Sequence, residues 1–310
     1  MQTILGANGV IARELSRALV ALSPAIRQVS RNPLKVNPTD ETVVTDLLDA
    51  KQTTNAVSGS QVVYLVAGLK YDTSVWQEQW PKVMRNVINA CKHHGARLVF
   101  FDNVYSYGRV DGMMTEDTPF NPISKKGEVR AQIASLLLDE MRNGNLQAMI
   151  VRSADFYGVG AANSFPHATV FERLRAGKTP QWIGNPNAVH TFTYTPDAGR
   201  SVAMLGSMTE ALGQTWHLPT SKEPLTGADF VRLACELAGP PFKLQTAPRW
   251  MLRLMGVFVP VLRENNEMMY QFEHDYRFDS SKIESALGLL PTPYRQGIGE
   301  SLRTRTQSRV

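Results

Sequence analysis

Cysteine is scarce in this 310-residue chain, which has two, Cys91 and Cys235. So few exclude a disulfide framework and any cysteine-rich metal site. Both stand in helical patterns among apolar neighbours, where a free thiol behaves as a small hydrophobe. Long apolar runs are missing too. The longest, "LMGVFVPVL" (Leu254–Leu262), is too short to span a bilayer and contains Pro260. Met1 leads almost directly into an apolar strand with no leader between, so a cytoplasmic location and no membrane partner are expected. A strong charge of one sign is also lacking: the net charge is +5, and its local concentration is Arg303, Arg305 and Arg309. A basic tail of this kind reads as a solvated end, and nucleic acid is not expected as a partner. The six histidines show no ligand spacing, so no metal is expected.

What the chain does have is alternation. Strand-like runs at Gln2–Leu5, Ala25–Ser30, Thr42–Thr45, Gln61–Ala67, Ala96–Phe101 and Gln147–Val151 are separated by longer helical patterns. Most runs are continuously apolar, which suits a parallel sheet covered on both faces. Ile11, Leu15, Ala18, Leu19 and Leu22 share one helical face, and Trp76, Trp80, Val83, Met84, Val87, Ile88 and Cys91 share another. The order predicts βαβ units and an α/β, doubly wound parallel sheet. After about Asp155 the rhythm changes to loops, with a short helix at Thr169–Ala176, a strand in "TWHLP" (Thr215–Pro219) and helices near Gly227–Ala238 and Arg249–Val259. We therefore expect a dinucleotide-binding Rossmann domain over 1–155 and a smaller C-terminal substrate lobe over 156–310, with segments returning to the main sheet.

Between the first strand and the first helix lies Gly6-Ala7-Asn8-Gly9-Val10-Ile11-Ala12, with spacing G-x-x-G-x-x-A. A residue without Cβ lets the backbone approach a pyrophosphate, whose charge sits on the N–H groups opening the helix. Gly6, Asn8, Gly9, Val10 and Ile11 are therefore expected to cradle a dinucleotide; the plainer alternative is a tight strand–helix turn. The second strand ends in "VSRNP" (Val29–Pro33). An acidic residue there would bind a ribose 2′-hydroxyl and repel a 2′-phosphate; the chain offers Ser30 and Arg31 instead. Arg31 can fork onto a phosphate, which favours NADP, with NAD as the alternative.

"GANGVIA", "TDLLD", "VYLVAG", "VYSYG", "VRSADFYGVG", "TFTYTPDAGR" and "FDSSK…LGLLPTP", spread over most of the chain, resemble the short-chain dehydrogenase/reductase superfamily in its extended, sugar-epimerase-like branch. The resemblance implies that Asp46 and Leu47 meet the adenine, that Val66, Ala67 and Gly68 pass beneath the ribose, and that the substrate lobe begins after Tyr157. It also implies a Tyr that moves a proton, a Lys four residues later, and a Ser or Thr after the fifth strand. Here "PISKKGEVR" puts Lys126 and Arg130 at the first two positions, and "FFDNVYSYG" puts Asn103 at the third. Lys126, Arg130 and Asn103 are accordingly the expected catalytic set, and all three differ from the pattern.

Lys126 and Arg130 stand i,i+4 in line with Ile133 and Leu137, on the apolar stripe. Inward cations need an anionic or polar partner unless they snorkel to the rim. Asp102 ends a strand and is either a working carboxylate or a turn cap. Substrate contacts are expected at Tyr71, Tyr105, Asp155 and Tyr157. Two functions compete. One is an NADP-dependent epimerase, dehydratase or reductase acting on a sugar nucleotide or other small carbonyl or hydroxyl substrate. The other is a non-catalytic NADP-binding sensor or scaffold. A small-molecule partner is expected in the first case, and a homodimer is left open.

Overall fold

The computed structural model describes residues 1–23, 25–247, 264 and 266–303. Seven short runs form one parallel sheet: β1 (Gln2–Leu5), β2 (Ile26–Ser30), β3 (Glu41–Val44), β4 (Val62–Leu65), β5 (Arg97–Asp102), β6 (Ala148–Arg152) and β7 (Thr215–His217). Their spatial order is β7-β6-β5-β4-β1-β2-β3. The winding reverses between β1 and β4, the crevice at which open α/β sheets take their ligands. All residues of β4 and β6 are buried, which is why those runs carry no polar alternation.

Helices α1 (Val10–Leu19), α2 (Ala50–Val57), α3 (Thr73–His94) and α4 (Lys125–Arg142) connect the strands. Asp72 caps α3 by accepting the N–H groups of Ser74 and Val75, and Gly95, at φ 65°, ends it in the left-handed region. Its buried stripe runs from Trp76 to Cys91 as the spacing predicts. Such a side chain contributes about 1.5–3 kcal/mol when fully buried. Ser124 caps α4 through the N–H of Gly127, which fixes the helix to start at Lys125.

The chain divides into two compact units, each built from several segments. The first comprises Met1–Gly108, Pro119–Ser153 and Ala198–Leu218 and holds the sheet. Its core includes Leu5, Val63, Leu65, Phe100, Ile133, Leu137 and Ile150. The second comprises Arg109–Thr118, Ala154–Asp197 and Pro219–Val310, with a core rich in rings: Tyr157, Phe171, Trp182, Phe192, Phe230 and Tyr294. Its strands are short parallel pairs, such as Asp155–Tyr157 with Phe192–Tyr194.

Several expectations shift. β5 and β6 each run one residue further than their apolar patterns, taking in Asp102 and Arg152. Leu22 is exposed, because α1 stops at Leu19 before its face returns. The helix expected at Thr169–Ala176 is a π-helical turn, His167–Phe171, followed by a single α-turn, Glu172–Arg175. The strand in "TWHLP" joins the main sheet beside β6. The helix expected near Arg249–Val259, the run Leu254–Leu262, and Arg305 and Arg309 lie outside the described residues.

Candidate active site

The turn after β1 is shaped by a close approach. Gly6 has φ 101°, and a Cβ there would stand 2.3 Å from the Cα of Ala67. Only glycine lets this turn lie against the one after β4. The N–H of Val66 donates to the carbonyl of Leu5 at 3.0 Å, carrying the sheet pairing right up to the crossing. Gly9 is different. It is the exposed N-cap of α1, and an added Cβ would meet nothing closer than the Gly6 carbonyl oxygen at 3.7 Å. The protein itself therefore does not forbid a side chain at Gly9, whereas a pyrophosphate would. No side chain caps α1 and no acidic residue stands in its first turn, so its opening N–H groups suit an anion. Val10 is half-buried and Ile11 buried, and both anchor the helix. On these grounds the residues present fit a dinucleotide.

Around this turn, the other expected cofactor residues split between exposed and packed positions. Arg31 is exposed and has no ion-pair partner among the described residues. The Ser30 hydroxyl accepts the N–H of Asn32 at 3.3 Å, shaping the turn that presents Arg31. Asp46 is exposed and accepts the N–H of Leu48, while Leu47 packs on the core. Gly68 is exposed, and Val66 and Ala67 are half-buried.

Lys126 is fully buried, at 0% exposure. Its Nζ donates to Thr73 Oγ1 at 2.9 Å and stands 4.6 Å from the centre of the Tyr71 ring. A cation over such a face gains further stabilisation when desolvated. Gly127 brings this turn of α4 close to the one after β5, since a Cβ there would lie 2.6 Å from the Tyr105 carbonyl oxygen. Tyr105 in turn stacks on Trp76, whose ring meets Tyr71 edge-on. Asn103 is half-buried, and its Oδ1 accepts the N–H of Tyr105 at 3.0 Å. That bond orients the side chain with its oxygen engaged, leaving the –NH2 as its donor end. The structure thus groups Lys126, Asn103, Tyr71 and Tyr105, and adds Thr73, which carries no pattern in the sequence that would mark it out.

Arg130 of the expected catalytic set is held by the protein itself. It is buried, but its Nε donates to Asp102 Oδ1 at 2.7 Å and its guanidinium lies 4.6 Å from the Trp80 ring. The partner that an inward cation needs is a carboxylate of the protein. Asp102 also accepts Arg152 Nε at 3.2 Å and the N–H of Asn103 at 2.8 Å. Arg152 Nη1 donates to the Tyr107 hydroxyl, which is 2.8 Å from His217 Nε2. The sequence shows His217 only as a histidine without ligand spacing and gives Arg152 no role. The available signal was a charge ending each of two apolar runs, and pairing them needs the sheet register, in which Asp102 is opposite Arg152.

Asp155 and Tyr157 belong to the second unit. Asp155 accepts from His190 Nε2 at 3.0 Å, with the imidazole stacked between Phe272 and Tyr276. Tyr157, expected as a substrate contact, is buried in the ring core of this unit. Its ring is enclosed by Phe192, Tyr194, Phe230 and Tyr294. Burial, followed by the neighbouring Tyr294, Tyr194, Asp197 and Glu300, holds its phenol well above the usual range. It stays protonated and packs.

A Rossmann sheet, a glycine turn at its reversal point and a polar cluster beyond β5 together describe one kind of protein. The model of the NAD dependent epimerase/dehydratase family matches residues 3–216. The chain belongs to this family. A relative of the family member described here, the 3-diazoavenalumate denitrifying reductase of a Streptomyces species, is 26% identical over 315 residues, covering 96% of this chain and 98% of that protein. The dTDP-glucose 4,6-dehydratase of Streptomyces venezuelae, solved with NAD bound, superposes with a TM-score of 0.80 at 19% identity, covering 98% of this chain and 96% of its own. The UDP-glucuronic acid 4-epimerase of Bacillus cereus in complex with NAD gives 0.78 at 19%, covering 97% and 96%. At these identities the two structures establish the shared fold.

Proposed function

We propose that this protein is an NADP(H)-dependent reductase acting on a small carbonyl-type substrate, a sugar nucleotide or another compound with a reducible centre. The observation that carries the reading is the fully buried amine of Lys126, oriented by Thr73; the resemblance puts this residue at the family's proton-moving position. An ammonium is a donor only, so this site is built to give a proton and to stabilise negative charge developing on an oxygen. Reduction needs both. The –NH2 of Asn103 supplies a second donor for the substrate oxygen, in place of a hydroxyl. Arg130 is engaged by Asp102, and its part is to hold the wall behind the site.

The bound nicotinamide would supply the hydride. Gly6, Gly9 and the N-terminus of α1 would hold its pyrophosphate, and Arg31 the 2′-phosphate, there being no acid at the end of β2 to repel it. The relative named as a denitrifying reductase supports reduction as the reaction class. A second reading, a nucleotide-binding protein without turnover, is favoured by one observation: Arg130, which the resemblance puts at the family's Lys position, is engaged in an ion pair. NADPH fluorescence separates the two. Consumption with any member of a panel of carbonyl compounds and sugar nucleotides supports the enzyme; tight binding without consumption across the panel supports the sensor or scaffold.

A further inference from the structure

The connection from β2 to β3 carries Arg31, and it is held at both ends by side chains from the first unit. At the far end Asp40 Oδ2 accepts the N–H groups of Val36 and Asn37 at 3.0 Å each, and Gln28 Nε2 at 2.9 Å. At the near end the hold comes from Asn8, inside the glycine turn. Its Nδ2 donates to the carbonyl of Asn32 at 2.6 Å, and its Oδ1 accepts the N–H of Leu34 at 3.0 Å. Both ends of one carboxamide are used, and the two partners flank Pro33, just beyond Arg31.

The backbone singles out the same residue. Asn8, at φ 78°, has the sole positive φ at a non-glycine position among the described residues. Glycine takes that conformation without strain, and a side chain there needs a use. If Asn8 were merely a tolerated turn residue, glycine would do as well. The two tethers give it a task that glycine cannot perform.

We propose that Asn8 is the positioning residue for the choice of NADP over NAD. Its carboxamide ties the pyrophosphate turn to the loop bearing Arg31, so that one rigid unit presents the N-terminus of α1 to the pyrophosphate and Arg31 to the 2′-phosphate. The inference rests on the NADP(H) preference proposed above and adds the device that sets it. Asn8 acts through Arg31: without the tether Arg31 remains in the chain, but the loop that aims it is no longer pre-organised, and ordering it reduces affinity.

Calorimetry on the full chain tests this, using NADP⁺ and NAD⁺ with wild type, Asn8→Gly, Arg31→Ala and the double variant. Asn8→Gly keeps the positive-φ turn and removes both tethers, and thermal melts report that it folds. We expect wild type to favour NADP⁺, Asn8→Gly to weaken NADP⁺ by about tenfold and NAD⁺ by less than about threefold, and the double variant to bind like Arg31→Ala alone. Equal losses for both cofactors, an unchanged Asn8→Gly, or additive losses in the double variant would overturn the proposal. A wild type without preference would remove the NADP reading itself. A wild-type preference that Arg31→Ala abolishes and Asn8→Gly leaves intact would remove the Asn8 role alone.

Discussion

An ammonium at 0% exposure must be met by polar or π partners, and at the residue scale Lys126 is defined by Thr73 Oγ1 and the Tyr71 ring. The first accepts a hydrogen bond and the second offers a negative face, and both hold the amine in place. Lys126→Met preserves the aliphatic stem and removes the donor. Turnover should fall by about 10²–10⁴ while cofactor affinity holds, since a positioned acid contributes on that scale. Steady-state rates read beside calorimetric cofactor binding check it; a loss of turnover that only tracks cofactor occupancy would make Lys126 an anchor. Arg130, at the next turn of the same helix, donates to the Asp102 carboxylate at 2.7 Å.

Between elements, closeness has two different owners. The contact of Gly6 with Ala67 belongs to the protein, because the turns after β1 and β4 cross there. Gly6→Ala combines a left-handed backbone with a 2.3 Å clash against Ala67 Cα, and should lower stability by about 1–3 kcal/mol, seen as an earlier urea midpoint. The space beside Gly9 is left open by the protein, and the proposed function gives it to the cofactor. Gly9→Val should melt like wild type and lose cofactor binding, and a variant that still binds would reduce the glycine turn to architecture. Asp102 at the end of β5 joins further elements, since its carboxylate is shared by Arg152 from the neighbouring strand β6 and Arg130 from α4. Asp102→Asn leaves both buried cations without their counter-charge, a loss of about 3–5 kcal/mol. Arg130→Met should cost less, since Asp102 keeps Arg152. Denaturation midpoints of the two variants rank them.

For the molecule as a whole, acid stability should carry the mark of Asp40. Burial pushes this carboxyl up, but hydrogen bonds from the Asn37 backbone, Gln28, the Asn37 side chain and the Val36 backbone together hold it below its ordinary value. A carboxyl lowered in the folded state contributes stability that is complete above its unfolded pKa, about 3.9, and lost as pH falls through the folded value. The unfolding free energy should therefore drop on acidification below about pH 4, and less so in Asp40→Asn. Urea titrations across that range show whether the acid limb flattens.

The sequence alone determined what depends on neighbours along the chain. Alternating apolar runs and 3.6-residue stripes made the parallel sheet and α3 legible, down to Trp76, Trp80 and Cys91. The glycine spacing marked the turn after β1, and the line through Ile133 and Leu137 turned Lys126 and Arg130 inward. Which partner each inward group would meet was decided only by the tertiary structure. Asp102 faces Arg152 through strand register, Arg130 reaches Asp102 through the packing of α4 on the sheet, and Asn8 reaches Leu34 across a loop. Tyr157, in a motif that pointed to substrate, is enclosed by rings from four other positions in the second unit. Periodicity reports which side of an element is buried, because that follows from backbone geometry shared by every helix and strand. A buried charge or ring is satisfied by residues far away in sequence, and those meet only once strand order, register and helix packing have been chosen.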